Sequence, residues 1–385
     1  MKQALELYIH IPFCAKKCNY CDFLSFPAMP AVQTQYLRQL IREIRHTGSA
    51  CTEYHVSTVF IGGGTPSMLE SVQIEEIMAA VRESFALDET AEVTIECNPG
   101  STLRHKFASW KKAGINRLSI GLQSADPTEL KMLGRIHSFE EFLKCYQGAR
   151  MEGFENINVD LIDCLPMQRL TTWKKTLRSV LMLRPEHISV YNLILEPGTP
   201  FYEMHKKGLL ILPDEDEQAA IDAYTNEFLE KQGFIRYEIS NWEQRGHACR
   251  HNIGYWTGVP YIGFGLGASS YFEDFRWKNT ASLREYMGIN FQEGRKAFQT
   301  LRKELHKLSR EEEMEEFMFL GLRMTAGISE SRFLARFGQR IDSIYGAQLE
   351  KFTAQGLMER SQGRCRLTPR GMDLSNLVMS EFLLT

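Results

Sequence analysis

Residues Leu5 to Ile11 alternate apolar and polar side chains before Pro12 breaks the run, the period of a half-buried β-strand. Further β-branched or aliphatic runs follow at Ser57 to Ile61, Glu92 to Glu96, Arg117 to Leu122, Asn156 to Ile162 and His187 to Leu195. Between them, Tyr36 to Arg45, Ile74 to Phe85, Leu103 to Ala113, Phe139 to Met151 and Thr172 to Leu183 carry apolar residues at helical spacing. Strands alternating with helices predict βα units around a parallel sheet, an α/β fold. Six units are fewer than the eight of a closed barrel, so the pattern predicts a partial (β/α)6 barrel over residues 1–212, with chemistry at the strand C-terminal ends.

After Pro213 a helical stretch runs to Lys231, and a segment dense in aromatics and glycine spans Tyr237 to Trp277. Residues 213–302 are expected to cover the barrel. From Lys303 the order is a helix through Arg323, a second at Glu330 to Phe337, a third at Ser343 to Gln355, a two-stranded segment turning at Gln362-Gly363, and a last helix. That order resembles a winged-helix module, so 303–385 reads as a C-terminal winged-helix-like α+β domain.

Composition narrows the class. The chain has 385 residues, 43% hydrophobic and 24% charged, with a formal net charge of -3. There is no basic excess to recruit nucleic acid and no long apolar stretch for stable membrane insertion. The first residues read as a mature strand and not a signal peptide. Nine cysteines, unevenly spread and odd in number, argue against a disulfide framework and for a cytoplasmic protein.

Three of those cysteines fall together in Cys14-Ala15-Lys16-Lys17-Cys18-Asn19-Tyr20-Cys21, directly after the first strand. Zinc sites want four ligands, and the next cysteine, Cys51, lies beyond a helix. Three thiolates suit a 4Fe-4S cluster with one open iron, which the amino and carboxylate groups of S-adenosylmethionine can chelate. Gly62-Gly63-Gly64-Thr65-Pro66 ends the second strand. By itself it serves equally as a tight turn or as backbone that a ligand can approach closely.

The spacing CxxxCxxC after a strand resembles the radical-SAM proteins. With Tyr8-Ile9-His10-Ile11-Pro12-Phe13, the aromatic Tyr20 and the GGGTP run, the chain resembles the oxygen-independent coproporphyrinogen III oxidase superfamily over nearly its whole length. The resemblance implies that Cys14, Cys18 and Cys21 hold the cluster. It places S-adenosylmethionine contacts at Tyr8, Tyr20, Gly63, Gly64, Thr65, Glu96, Gln123, Arg135 and Asp160. Members usually carry glycine where this chain has Cys164 and Met167.

Two branches of that superfamily separate on three features. The oxidases resemble one another in a fourth cysteine just after the cluster motif and in a long N-terminal extension. Here Asp22 and Phe23 follow Cys21, and Tyr8 stands almost at the start. The third feature, His251-Asn252-Ile253-Gly254-Tyr255-Trp256, matches the HNxxYW motif of the heme chaperone branch. His251 is then the first candidate heme ligand and Tyr255 the alternative, with Asn252 and Trp256 lining the macrocycle. Buried histidine and aromatics that merely pack the barrel's open side are the competing account.

The resemblance implies heme transfer to an acceptor hemoprotein such as a respiratory cytochrome, and it allows a homodimer. The alternative is radical oxidative decarboxylation of coproporphyrinogen III. A winged-helix regulator is a further alternative, opposed by the modest charge.

Overall fold

The computed structural model describes residues 2–100 and 104–384. Fifteen strands occur among the described residues, in two sheets. Six parallel strands run in chain order: β1 (Gln3–Ile11), β2 (Tyr54–Gly63), β3 (Leu87–Cys97), β4 (Arg117–Gln123), β5 (Ile157–Asp163) and β6 (His187–Asn192). They coincide with the six predicted runs, except that the last stops at Asn192, where the chain turns away from the sheet. The start of the predicted helix Leu103 to Ala113 lies outside the described residues at Leu103; the helix is present over Arg104–Lys112.

The sheet does not end with the six units. The strands that follow are β7 (Ile235–Glu238), β8 (Asn241–Glu243), β9 (Tyr261–Phe264), β10 (Ser269–Phe272), β11 (Phe275–Asn279) and β12 (Arg302–Lys307). They extend it to the order β12-β11-β10-β9-β1-β2-β3-β4-β5-β6-β8-β7. Only β9 is parallel to its barrel neighbour, β1, and the rest are antiparallel. The aromatic segment after Pro213 therefore contributes edges to the barrel sheet as well as covering it. β12 continues that sheet past position 303.

Alternation along the strands sorts two environments. In β1, Leu5, Leu7, Ile9 and Ile11 are fully buried against the helical layer, while Glu6, Tyr8 and His10 occupy the opposite face, toward the lumen. The same parity puts Thr58 and Phe60, Glu92, Thr94 and Glu96, Arg117 and Ser119, Asn158 and Asp160, and His187 and Ser189 inside. The lumen is a buried polar network in place of the apolar layers that fill many barrels. A second hydrophobic cluster, from Met314 to Phe382, is the core of the C-terminal part. There β13 (Ile328–Ser329), β14 (Met358–Ser361) and β15 (Arg364–Leu367) form a small sheet in the order β13-β15-β14.

Candidate cofactor site

The cysteine loop leaves β1 through a closed neck. Phe26 N–H donates to the Pro12 carbonyl at 2.9 Å and Cys14 N–H to the Phe26 carbonyl at 3.2 Å. Farther out, Asn19 clamps the loop: its N–H reaches the Leu133 carbonyl at 3.0 Å and its Nδ2 the Met132 carbonyl at 2.7 Å, while Phe201 N–H donates to its own carbonyl at 3.0 Å. These bonds fix a loop of otherwise irregular backbone. Cys14 is buried, with Cys18 and Cys21 half-buried, and all three are free thiols. Burial pushes the Cys21 thiol up, and the neighbouring Cys18 and Cys14 add to that shift.

The three thiols are carried within eight residues, Cys14 to Cys21. They share one loop beside cationic Arg135, whose Nη1 lies 3.6 Å from Cys18 Sγ. Three free thiols on one loop beside a guanidinium fit a polynuclear iron–sulfur cluster, which spreads its thiolates over several irons and can leave one iron open.

The glycine run packs against this loop. Gly64 N–H donates to the Ile11 carbonyl at 2.8 Å, and a Cβ on Gly64 would stand 2.7 Å from the Phe13 carbonyl oxygen. Gly63 has φ +110, and a Cβ there would meet the His10 ring at 2.5 Å. Gly64 is thus required by close backbone approach between β1 and β2, and Gly63 by its positive φ and by the His10 ring. Thr65 Oγ1 sits 3.3 Å from Cys14 Sγ.

The remaining predicted residues converge on the same end. Glu96 accepts from Gly63 N–H at 2.9 Å. Asp160 accepts from Ser119 Oγ at 2.9 Å and Asn158 Nδ2 at 2.7 Å. Burial and Asp160 push the Glu96 carboxyl up to about 8, and burial raises Asp160 as well. Neither carboxylate makes an ion pair among the described residues, and both offer oxygens that suit a ligand ammonium or ribose hydroxyls. Arg135 is held by Asn98 Oδ1 and the Gly121 carbonyl, both at 2.7 Å, and its Nε has no partner. Gln123 ends β4 at φ 72. Tyr20 is half-buried beside Arg135, Cys18 and Cys21, and desolvation of its hydroxyl raises the phenol.

Tyr8 Oη bonds His10 Nδ1 at 2.9 Å, and His10 Nε2 bonds the Leu24 carbonyl at 2.9 Å. His10 and Asn98 escaped the sequence reading as site residues. The signal for His10 was its two-residue spacing from Tyr8, and that for Asn98 its place two residues beyond Glu96.

The HNxxYW helix, Arg250–Thr257, is elsewhere. It plugs the opposite end of the lumen, where Glu92 receives its first N–H groups, Arg250 at 3.1 Å and His251 at 3.2 Å, a carboxylate at a helix N-terminus. His251 is buried with both ring nitrogens engaged: Nδ1 with Thr58 Oγ1 at 2.7 Å and Nε2 with Tyr255 Oη at 2.9 Å. Its ring stacks on Phe60 at 5.2 Å, and burial holds it near pKa 3, hence neutral. Iron ligation by His251 requires one of those bonds to open. Asn252 is half-buried on the same helix. Trp256 faces a cavity between the sheet and the C-terminal part, lined also by Tyr271, Phe317, Met324, Arg332 and Arg336. The Arg323 guanidinium lies over its ring at 4.2 Å. The structure therefore separates the predicted heme residues from the cluster end.

Comparison with known proteins shows the family and the fold. Residues 8–180 match the model of the Radical SAM superfamily and residues 308–374 that of the HemN C-terminal domain. The heme chaperone HemW of Bacillus subtilis is 36% identical over 98% of each chain, and that of Escherichia coli 33% over 98% of each. The zebrafish (Danio rerio) mitochondrial radical S-adenosyl methionine domain-containing protein 1 is 32% identical over 85% of this chain and 74% of its own. Coproporphyrinogen III oxidase (HemN) of Escherichia coli, a radical SAM enzyme, superposes with a TM-score of 0.85 at 24% identity, over 100% of this chain and 91% of that one. That likeness concerns the fold.

Proposed function

We propose, from the premise that this chain belongs to the HemW family within the radical SAM superfamily, that it is a heme chaperone passing heme to an acceptor hemoprotein. End-to-end similarity to proteins named heme chaperones carries the reading. The Asp22-Phe23 pair, where the oxidases place a further cysteine, supports it.

Cys14, Cys18 and Cys21 would hold the 4Fe-4S cluster, and the bound cluster with S-adenosylmethionine supplies one-electron reductive chemistry. Around it, Arg135 sets positive charge beside Cys18, and Glu96 and Asp160 offer acceptors for the ammonium and hydroxyl groups of the ligand. Tyr8, Tyr20, Gly63, Gly64, Thr65 and Gln123 close the same end. Heme would approach the other end of the lumen, where Trp256 gives a flat apolar face to the cavity and His251 becomes a ligand by giving up Thr58 or Tyr255. The acceptor is proposed to be a cytochrome-like hemoprotein, the compartment the cytoplasm and the assembly a homodimer. No described helix is long and apolar enough to cross a membrane.

The deciding assay incubates the anaerobically reconstituted protein with coproporphyrinogen III, S-adenosylmethionine and a reductant, in parallel with heme-loaded protein and an apo-cytochrome. Heme should move to the cytochrome and no protoporphyrinogen should form. Appreciable protoporphyrinogen would instead establish oxidative decarboxylation. A heme titration of His251→Ala that reproduces the wild-type Soret shift would remove His251 as ligand.

A further inference from the structure

β5 ends in Asp163, which by strand parity faces the helical layer, away from the lumen that holds Asp160. Cys164 follows it, and Asp222 comes from the helix Glu215–Lys231 packed over that edge. One ligand atom from each of the three lies within 4.8 Å of the other two. Asp163 is 2% exposed, yet its Oδ1 has no hydrogen-bond partner, an arrangement that is costly unless something else satisfies the oxygen.

Local charge is unbalanced as well. The Arg236 guanidinium is shared among four acids, Asp373, Glu238, Asp222 and Asp163, all of which act on it. Its Nε and Nη1 are spent on the Ile239 carbonyl and on Asn226 Oδ1. Burial and the neighbouring Asp222 hold the Asp163 carboxyl up at about 7, and burial and Asp373 raise Asp222. Such crowding is what a bound cation relieves. Cys164 adopts φ 52, a left-handed conformation that glycine takes without penalty. This chain keeps a thiol there.

We propose that Asp163, Cys164 and Asp222 bind one divalent cation of the zinc class on the outer face of β5, separate from the iron–sulfur cluster. One thiolate and two carboxylates are donors that zinc accepts, and half-buried Asp222 leaves an approach for a water to complete a tetrahedral shell. Binding forms one metal–sulfur and two metal–oxygen bonds and releases the Cys164 thiol proton and whatever proton Asp163 carries to solvent.

The test uses cluster-reconstituted protein equilibrated anaerobically with zinc sulfate, then desalted and assayed for both metals. Wild type should retain about one zinc per chain with its iron unchanged, and its zinc X-ray absorption should show one sulfur at about 2.3 Å with oxygen or nitrogen completing the shell. Cys164→Gly suits the backbone at that position, so it should fold and keep its iron while binding zinc at least about tenfold more weakly. Asp163→Asn should do the same. Failure of wild type to retain zinc would overturn the site. Zinc retention indifferent to Cys164→Gly, or an all-sulfur shell assignable to Cys14, Cys18 and Cys21, would overturn it too.

Discussion

Glu96 reaches from the end of β3 to the backbone of Gly63 at the end of β2 and accepts its N–H at 2.9 Å. This single bond joins an acid with a raised pKa to the strained turn of the glycine run, across adjacent parallel strands. Glu96→Gln keeps an acceptor for Gly63 but cannot give up a proton to face a ligand ammonium as a carboxylate. S-adenosylmethionine should bind about tenfold more weakly, the loss of one charge-assisted hydrogen bond. The cluster's absorption should be unchanged. Equilibrium dialysis on reconstituted protein measures this, and unaltered affinity would remove Glu96 from the binding site.

Arg135 bears on the cluster by charge. Its half-buried guanidinium stands 3.6 Å from Cys18 Sγ. Arg135→Met removes a positive charge next to a thiolate, so the reduced, more negative cluster loses stabilisation. The midpoint potential should fall by about 60 mV, a tenfold change for a one-electron couple. Spectroelectrochemical titration of variant and wild type decides; equal midpoints would mean that the charge is screened.

His251 predicts a pH dependence. Its folded pKa of about 3 lies below the 6.5 of an exposed imidazole. Its contribution to stability is therefore complete above pH 6.5 and is lost as pH falls toward 3, by about 1.4 kcal/mol per unit. Glu6, 3.9 Å away, works in reverse. Burial raises it to about 9, so its contribution is complete below pH 4.5 and declines as pH rises to 9. Near neutrality a neutral imidazole thus faces a protonated carboxyl, and the contact is no ion pair. Urea unfolding of wild type and His251→Gln should give a stability difference that shrinks on acidification from pH 6.5 to 4.5. A constant difference would contradict the buried neutral imidazole.

Gly254 closes the lumen. A Cβ there would clash with the carboxyl group of Glu6, and Glu6 is buried. Gly254→Ala gains helix propensity but overpacks the plug, so a net loss of about 1–3 kcal/mol is expected. Chemical denaturation checks it. A neutral or stabilising outcome would mean that the helix shifts without cost.

The sequence determined what depends on local pattern. Alternation in Leu5 to Ile11 and its successors specified six strands, because period two commits one face of a strand to the helical layer. Three cysteines within eight residues specified a cluster loop, because ligands close in sequence stay close in space. The GGGTP run and the HNxxYW motif were legible as motifs, yet their positions were not. Only the tertiary structure decided that Glu96, Gln123, Arg135 and Asp160, spread over sixty-five residues, meet at one end while His251 lies at the other. Parallel register and strand parity set that arrangement, and register follows from long-range pairing that no short window contains. Likewise, β9 joins β1 although some two hundred and fifty residues separate them. Asp163 meets Asp222 only because the helix Glu215–Lys231 folds back over β5.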